Sequence, residues 1–254
     1  MRFRRPCAKA AISFALLGYN ALPTNPDFSA MQADFSRPVL AIDTSTSFLS
    51  LALRASGQTF AFHEDAGNRQ SALILPQIGA MLAEAGITAA DLGAVVYAQG
   101  PGAFTGLRIG AGVAQGLAAP FNLPLVGVPC LDAVACQISA PCVLAATDAR
   151  MGEVFYAWFD TENHRRLSDY QVGQAADIVP PAGCAEPQGI GNAFALGDKP
   201  PFNGTAQMPA AANYLDLAAG GRYPATDAAH AGLLYVRNKI ALTAKEQAER
   251  KGAP

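Results

Sequence analysis

A short polar segment, Asp43-Thr44-Ser45-Thr46, is the first place where residue types could support chemistry. It separates an apolar run from an alternating run, so it lies between two predicted strands. Hydroxyls and backbone amides in such a turn could cradle a phosphate while the carboxylate organises a metal-bound water. The alternative is a hairpin turn whose Asp and Thr side chains bond their own backbone. We favour this alternative because the segment lacks the glycine that a phosphate turn usually contains.

A glycine-rich segment, GPGAFTGLRIGAG at residues 100–112, is the second candidate. It leads from a strand into a helix, whose N-terminus could bind an anion. It is not a P-loop, because no Gly-Lys-Ser or Gly-Lys-Thr follows. Gly102 and Gly106 are four residues apart, which does not fit G-x-G-x-x-G, and the next strand ends at Pro129 rather than at an acidic residue that would hold a ribose. The sequence therefore disfavours a nucleotide role for this segment.

Small residues follow each other at helical spacing in the same segment. One row comprises Gly106, Gly110, Ala114 and Ala118, and a second comprises Gly112 and Gly116. Each glycine inside a helix costs about 1 kcal/mol relative to alanine. A soluble helix of this kind must allow another backbone to come close, which is either the protein's own sheet or a second chain. Both interpretations stay open from the residues alone.

Residue patterns typical of catalysis are absent from the sequence. The three histidines form neither H-E-x-x-H nor H-x-x-x-H, which excludes a helical two-histidine metal site. No G-x-S-x-G is present to provide a hydrolase nucleophile. Asp148, Arg150 and Glu153 flank a predicted tight hairpin, where Arg150 and Glu153 could form an ion pair. We interpret these three residues as structural.

Composition restricts the partners and the compartment. The chain has 254 residues, 51% of them hydrophobic, and a net charge of −2. Strong autonomous binding of nucleic acid is not expected, because it requires clustered Lys and Arg. The five cysteines are an odd number without a C-x-x-C pair. This pattern argues against a disulfide scaffold or a zinc site and suits a reducing compartment.

The hydrophobic patterns predict an α/β fold with a mixed sheet. Three consecutive antiparallel strands are followed by alternating helices and strands, and a hairpin then begins a second set. A helix with Ile74, Ile78 and Met81 on one face ends at Gly86, and Thr243 with Glu246 predicts the start of a closing helix. No element can be assigned with confidence over 173–213. The predicted strands are 39–43, 47–54, 58–64, 94–100, 124–128, 143–149 and 153–160.

The first 37 residues are predicted to lie outside the fold. Basic residues precede a short apolar run from Ala10 to Leu17, as in a secretory leader, although the run is too short to span a bilayer. A polar segment with three prolines separates this run from the first strand. Two explanations remain: a leader that is cleaved or disordered, and a start site assigned too far upstream, with Met31 as the initiator. We favour the second.

Five blocks in order over residues 38–242 resemble the bacterial TsaB (YeaZ) family. They are VLAIDTST, NRQSALILPQI, YAQ leading into GPGAFTGLRIGAGVAQGLA, TDARMGEVFYAWF, and YVRNKIA. The resemblance implies two lobes of the class shared by actin, Hsp70 and sugar kinases, with the second lobe reduced. We expect the first lobe at 38–140 and the second, with the C-terminal helix, at 141–254. Actin-like ATPases place a phosphate turn where this chain has residues 43–46, so the resemblance makes that turn vestigial.

The resemblance also implies a function. The family is the noncatalytic partner of TsaD, which transfers a threonylcarbamoyl group to the adenosine beside the anticodon of tRNA, and TsaE, an ATPase, is the third member of the complex. The expected protein is cytoplasmic, has no metal or cofactor of its own, contacts tRNA only through the complex, where ATP or ADP could bind, and associates with TsaD or a second copy. The resemblance places this contact on two helices; the expected interface residues are Ile74, Ile78, Phe104, Gly106, Arg108, Ile109, Gly110, Val113, Gly116 and Leu117.

One departure from the family and one alternative function remain. Relatives often have histidine where this chain has Gln70, which puts any ion or partner contact of that histidine in doubt. The alternative is an enzyme of the same fold, either a small-molecule kinase or ATPase or a metallopeptidase. A kinase would need an adenosine-binding Gly-Gly in the second lobe, and Gly220-Gly221 lies in an alanine-rich stretch without that context.

Overall fold

The computed structural model describes residues 31–236, which form two lobes, each built on a mixed six-stranded sheet. The helices are α1 (Gln70–Glu84), α2 (Phe104–Ala118), α3 (Cys130–Ala135) and α4 (Ala211–Ala219). The strands are β1 (Val39–Asp43), β2 (Phe48–Ala55), β3 (Gln58–Asp65), β4 (Ala94–Gly100), β5 (Leu125–Pro129), β6 (Val143–Arg150), β7 (Glu153–Asp160), β8 (Arg165–Arg166), β9 (Gln171–Gln174), β10 (Gln188–Ile190), β11 (Gly204–Thr205) and β12 (Ala225–Thr226).

The first sheet has the strand order β12-β5-β4-β1-β2-β3. β1, β2 and β3 form an antiparallel meander, whereas β1, β4 and β5 run parallel. Leu40 and Ile42 point to the face covered by α1 and α2, and Val39 and Ala41 point to the face covered by α4. Because both faces are buried, β1 is a continuous apolar run rather than an alternating one.

The second sheet has the order β11-β10-β6-β7-β8, and β9 also pairs with β7. The predicted hairpin of β6 and β7 is confirmed, with an irregularity between Asp148 and Arg150. The Arg150 guanidinium lies 3.4 Å from the Asp148 carboxylate, and the pairing of Arg150 with Glu153 that the sequence suggested stays a prediction. A two-residue separation lets Asp148 also accept the Arg150 backbone N–H at 2.7 Å.

The predicted boundary between the lobes needs correction at the C-terminal side. Residues 211–226 return to the first lobe, because α4 packs on β1 and β2 and β12 extends the sheet next to β5. Ala211, Leu215 and Ala218 form the apolar stripe that covers this face. The expectation of loops over 173–213 missed β10, β11 and the start of α4, because strands of two or three residues carry no readable period.

The N-terminal boundary also differs from the expectation. Met31 forms an antiparallel bridge with Ala225, and Phe35 packs against the core beneath α4, so residues 31–37 contact the fold. Residues 1–30 and the predicted helix start at Thr243 lie outside the described residues. Among the described residues, no helix is both long enough and apolar enough to cross a bilayer.

A disulfide joins Cys142, just before β6, to Cys184, with the Cα atoms 5.7 Å apart. This corrects the expectation drawn from the cysteine count. An odd number of cysteines excludes complete pairing but does not prevent one pair from meeting, and these two residues are separated by 42 positions. Cys130 and Cys136 are free thiols.

Candidate functional site

The turn between β1 and β2 uses its polar groups internally. The Ser45 backbone N–H donates to the Asp43 carboxylate at 2.8 Å, and the Thr44 hydroxyl donates to the Gly106 carbonyl at 2.8 Å. The Thr46 hydroxyl accepts the Phe48 N–H at 3.1 Å. The bonds of Asp43 and Thr46 are those of the hairpin-turn interpretation, whereas the bond of Thr44 joins the turn to the glycine-rich segment.

The glycine-rich segment packs directly on this turn. The Ala103 N–H, at the start of α2, donates to the Ser45 carbonyl at 2.7 Å. A Cβ on Gly102 would lie 2.7 Å from the same carbonyl oxygen. A Cβ on Gly106 would overlap the Thr44 carbonyl, and one on Gly110 would overlap the Thr44 hydroxyl. The space at the α2 N-terminus is therefore filled by the protein's own backbone, and these glycines allow that approach.

A cleft of about 680 Å³ separates the two lobes. The first lobe contributes the polar turn, the start of α2 and Cys130, and the second lobe contributes Thr147, Asp148 and Asn192. The Asp148 N–H donates to the Asn192 side-chain oxygen at 2.8 Å. Thr147 is 6% exposed, and its hydroxyl has no hydrogen-bond partner among the described residues.

The floor of this cleft holds buried acidic and protic groups. Desolvation raises the pKa of Asp43, although its hydrogen bonds from Ser45 oppose this shift. Burial, together with the nearby Asp43 charge, raises the pKa of the Cys130 thiol to about 12. Tyr214 is fully buried on α4, and burial followed by the charges of Asp43 and Cys130 raises the pKa of its phenol. Burial thus disfavours the charged form of each of these three side chains.

The outward face of α1 and α2 is a second candidate site, which we call the helical face. Leu75 on α1 is 56% exposed and Phe104 on α2 is 49% exposed. A Cβ added to Gly79, Gly112 or Gly116 would meet no atom within 4 Å, so these glycines border open space. The sequences of α1 and α2 contain only two charged residues, Glu84 and Arg108. An uncharged surface of small and apolar residues is suited to contact with another protein.

Comparison with known proteins supports one family. The model described as "TsaD: tRNA N6-adenosine threonylcarbamoyltransferase" matches residues 63–217. The tRNA threonylcarbamoyladenosine biosynthesis protein TsaB of Haemophilus influenzae is 37% identical over 63% of this chain and 71% of its own length. The chain belongs to the TsaB (YeaZ) family. The TsaB of Escherichia coli is 42% identical over 50% of this chain, a match that spans 56% of the relative's length.

A solved structure supports the same assignment and the predicted fold class. YeaZ from Pseudomonas aeruginosa superimposes with a TM-score of 0.70 at 30% identity, covering 78% of this chain and 99% of that one. The two mixed-sheet lobes have the actin-like fold expected for the TsaB family. The prediction of an actin-like α/β protein is confirmed.

The structure divides the predicted interface residues of this TsaB-family chain into two groups. Ile74 and Ile78 are only 1% and 2% exposed and belong to the core, and Gly106 and Gly110 are buried against the turn, so their assignment to a partner contact is wrong. The others remain a prediction: Phe104, Arg108 and Gly116 are exposed, and Ile109, Val113 and Leu117 are half-buried. The Arg108 guanidinium stacks 3.2 Å from the centre of the Phe104 ring.

Sequence reasoning missed the outward residues of α1. It selected the apolar stripe of Ile74 and Ile78, which is the core stripe, whereas Leu75, Pro76 and Gly79 face outward. The available signal was the run from 71 to 83, which contains no charged residue although about half of it lies on the surface.

Gln70 has a defined structural role. It is 4% exposed at the start of α1, and its side-chain amide donates to the carbonyls of Thr46 and Phe48, both at 2.8 Å. Gln70 therefore holds the start of α1 against the polar turn.

The buried Asp43 carboxyl predicts a pH-dependent effect of Asp43→Asn. Asn retains an oxygen that accepts the Ser45 N–H but cannot ionise. Because burial raises the folded-state pKa, the contribution of Asp43 to stability is complete below its unfolded pKa and is lost as the pH rises through the folded pKa. The variant should therefore gain stability relative to the wild type as the pH rises, by at most about 1.4 kcal/mol per pH unit. Urea unfolding from about pH 4 to pH 8 measures this difference, and a difference that stays constant would contradict it.

Proposed function

We propose that this protein is a noncatalytic subunit of the complex that forms threonylcarbamoyladenosine in tRNA, and that it binds TsaD through the helical face. The observation that carries the proposal is the exposed surface of α1 and α2, which presents Leu75, Phe104 and open glycines and almost no charge. The process is proposed from relatives that are named tRNA threonylcarbamoyladenosine biosynthesis proteins.

The polar turn supports the noncatalytic part of this proposal. Its carboxylate and hydroxyls are engaged by Ser45, Gly106 and Phe48, and the N-terminus of α2 donates to Ser45. A phosphate would have to displace these bonds. The kinase or ATPase alternative requires that site to be open, so the geometry favours a vestigial turn.

The remaining parts of the proposal follow from the family. The protein acts in the cytoplasm, uses no cofactor of its own, and meets tRNA, TsaE and ATP or ADP only within the complex. In the absence of TsaD, the helical face pairs with a second copy of the chain. The area that serves one partner is then unavailable to the other, so TsaD and self-association should compete.

Leu75→Glu is expected to weaken binding to TsaD without affecting folding. A partner can bury only the exposed 56% of this leucine, and losing that burial costs about 0.8–1.7 kcal/mol, which corresponds to roughly 4- to 17-fold weaker binding. The side chain is 56% exposed in the free protein, so its melting temperature should hardly change. Titration calorimetry with purified TsaD and thermal denaturation measure the two quantities.

Val179→Glu is the matched control, because Val179 is 75% exposed on the second lobe, away from α1 and α2. It should bind TsaD as the wild type does. Equal weakening by both substitutions would show that the helical face is not the contact. Formation of threonylcarbamoyladenosine by the isolated chain, or its ATP hydrolysis without TsaD, would overturn the noncatalytic role.

A further inference from the structure

The outer face of the second sheet is covered by irregular chain. Its core includes Trp158, Leu144 and Phe194, with Phe202 packed on its edge. The covering segment, residues 175–203, contains only short 3-10 turns and the three-residue strand β10. We call this segment the cover. Few backbone hydrogen bonds hold it, so its attachment depends on packing and on any covalent link.

The disulfide is that link. Cys142 is 4% exposed at the edge of β6 and belongs to the same core, and Cys184 lies in the cover and packs against it. Near the bond, the Gln188 N–H donates to the Cys142 carbonyl at 3.0 Å, and the Cys184 N–H donates to the Pro181 carbonyl at 3.2 Å. The stretch from 179 to 187 is thus attached at one end by β10 and in its middle by sulfur.

The two bonded cysteines differ in exposure. Cys184 is half-buried and flanked by the exposed residues Gly183 and Ala185, whereas Cys142 is enclosed by the sheet and the cover. A small thiol from solution should therefore attack at Cys184 rather than at Cys142. Exposure of a disulfide is one of the features that make it exchangeable.

We propose that the Cys142–Cys184 disulfide holds the cover on the second sheet, and that it forms and breaks reversibly by exchange with a low-molecular-weight thiol such as glutathione. A thiolate attacks the Cys184 sulfur, forms a mixed disulfide with it, and releases Cys142, which takes up a proton. A second thiol attacks the mixed disulfide, so that Cys184 becomes a thiol and the two small thiols leave as their disulfide. Oxidised glutathione reverses both steps, so that each disulfide bond that breaks is matched by one that forms, and the two electrons pass between glutathione and the cysteine pair.

The fluorescence of the single tryptophan of the chain should change when the disulfide is reduced. Trp158 is 2% exposed, and Phe202 of the cover contacts it edge-on with ring centres 5.4 Å apart. Reduction should therefore shift Trp158 emission to longer wavelength as the cover loosens. Opening a loop of 42 residues should also lower the melting temperature by roughly 8–16 °C.

The experiment equilibrates the full chain with defined ratios of reduced and oxidised glutathione, then traps thiols by alkylation for intact-mass analysis. Expected are a reversible loss of two alkylation sites on oxidation and parallel changes in emission and melting temperature. Cys184→Ser should abolish all three responses, whereas Cys136→Ser, which removes an exposed thiol outside the bond, should retain them. Reduction of the wild type tests the same point without a substitution.

Three results would overturn the proposal: both thiols still alkylated after oxidation, a bond that excess reduced glutathione cannot open in the folded protein, or reduction that leaves emission and melting unchanged. Binding to TsaD is measured in parallel. The helical face belongs to the other lobe, so failure of the redox response leaves the proposed function intact, and the reverse also holds.

Discussion

Gly110→Leu is expected to lower the melting temperature, whereas Gly116→Leu is expected to leave it nearly unchanged and to weaken association instead. A side chain on Gly110 would overlap the Thr44 hydroxyl, and the Cβ position would lie 3.5 Å from a methyl carbon of Ile42. Overpacking of this kind costs about 1–3 kcal/mol, which is roughly 2–12 °C for a chain of this size. Gly116 faces open space, and leucine there should even recover helix propensity of about 1 kcal/mol.

At Gly116, on the helical face, substitution by leucine should affect association with the partner rather than folding. If α2 approaches another backbone at Gly116, the inserted side chain costs about 1–3 kcal/mol of association, or roughly 5- to 150-fold in affinity for TsaD. Gly112→Leu, one turn earlier on the same face, should behave like Gly116→Leu. Thermal denaturation and calorimetric titration of the three variants separate the two roles. A melting loss shared by Gly110→Leu and Gly116→Leu would show that both glycines pack internally.

Thr44 provides an independent test of the buried contact. Its hydroxyl is the atom that a Gly110 side chain would meet, and it also donates to the Gly106 carbonyl at 2.8 Å. In a double-mutant cycle, Thr44→Ala should therefore reduce the penalty of Gly110→Ala, because the colliding oxygen is gone. Additive effects of the two substitutions would mean that the loss at Gly110 arises elsewhere.

The small-residue rows show how far the sequence could determine the site. Spacing identified both rows on α2 but could not say which one faced the sheet, since glycine and alanine carry little preference for either side. The answer depends on the turn at 43–46, whose Thr44 is 62 residues away from Gly106 in sequence and approaches it through its carbonyl. Such backbone contacts leave no periodic signal in the chain.

The fold was more predictable where elements are long. Strands β1 to β5 of the first sheet and the β6–β7 hairpin appear at their predicted places because runs of five to eight apolar or alternating residues define them, whereas the two-residue strand β12 was not predicted. The return of α4 to the first lobe was not predicted, although Ala211, Leu215 and Ala218 have helical spacing, because the pattern does not say which of two sheets the stripe covers. The Cys142–Cys184 pairing depends on the same kind of long-range placement.

A carboxylate on α3 joins parts of the chain that the sequence could not bring together. Asp132 accepts the Tyr170 hydroxyl at 2.6 Å and the Tyr223 hydroxyl at 2.9 Å, one with each oxygen. Tyr170 packs in the second lobe and Tyr223 packs beneath α4 in the first. The Arg166 guanidinium lies 4.1 Å from the centre of the Tyr170 ring. Burial, followed by the Asp132 charge, raises the pKa of both phenols, so they remain donors.

Asp132→Ala is expected to be strongly destabilising, because it leaves two half-buried phenols without their acceptor. An unsatisfied buried donor costs about 1–3 kcal/mol, so the loss for two should reach about 2–5 kcal/mol, or roughly 4–20 °C in melting temperature. Asp132→Asn retains one acceptor oxygen and should lose less. Urea unfolding of the variants gives the free energies directly.

A control for Asp132→Ala also removes the two tyrosine hydroxyls that this substitution leaves without an acceptor. A triple variant, Asp132→Ala with Tyr170→Phe and Tyr223→Phe, carries more substitutions than Asp132→Ala but leaves no phenol unpaired at this site. It should therefore be more stable than the single variant, since replacing both sides of a hydrogen bond with apolar groups costs less than orphaning one of them. A triple variant that is less stable than Asp132→Ala would mean that the two hydroxyls stabilise the protein without the carboxylate, and that Asp132 is not their essential acceptor.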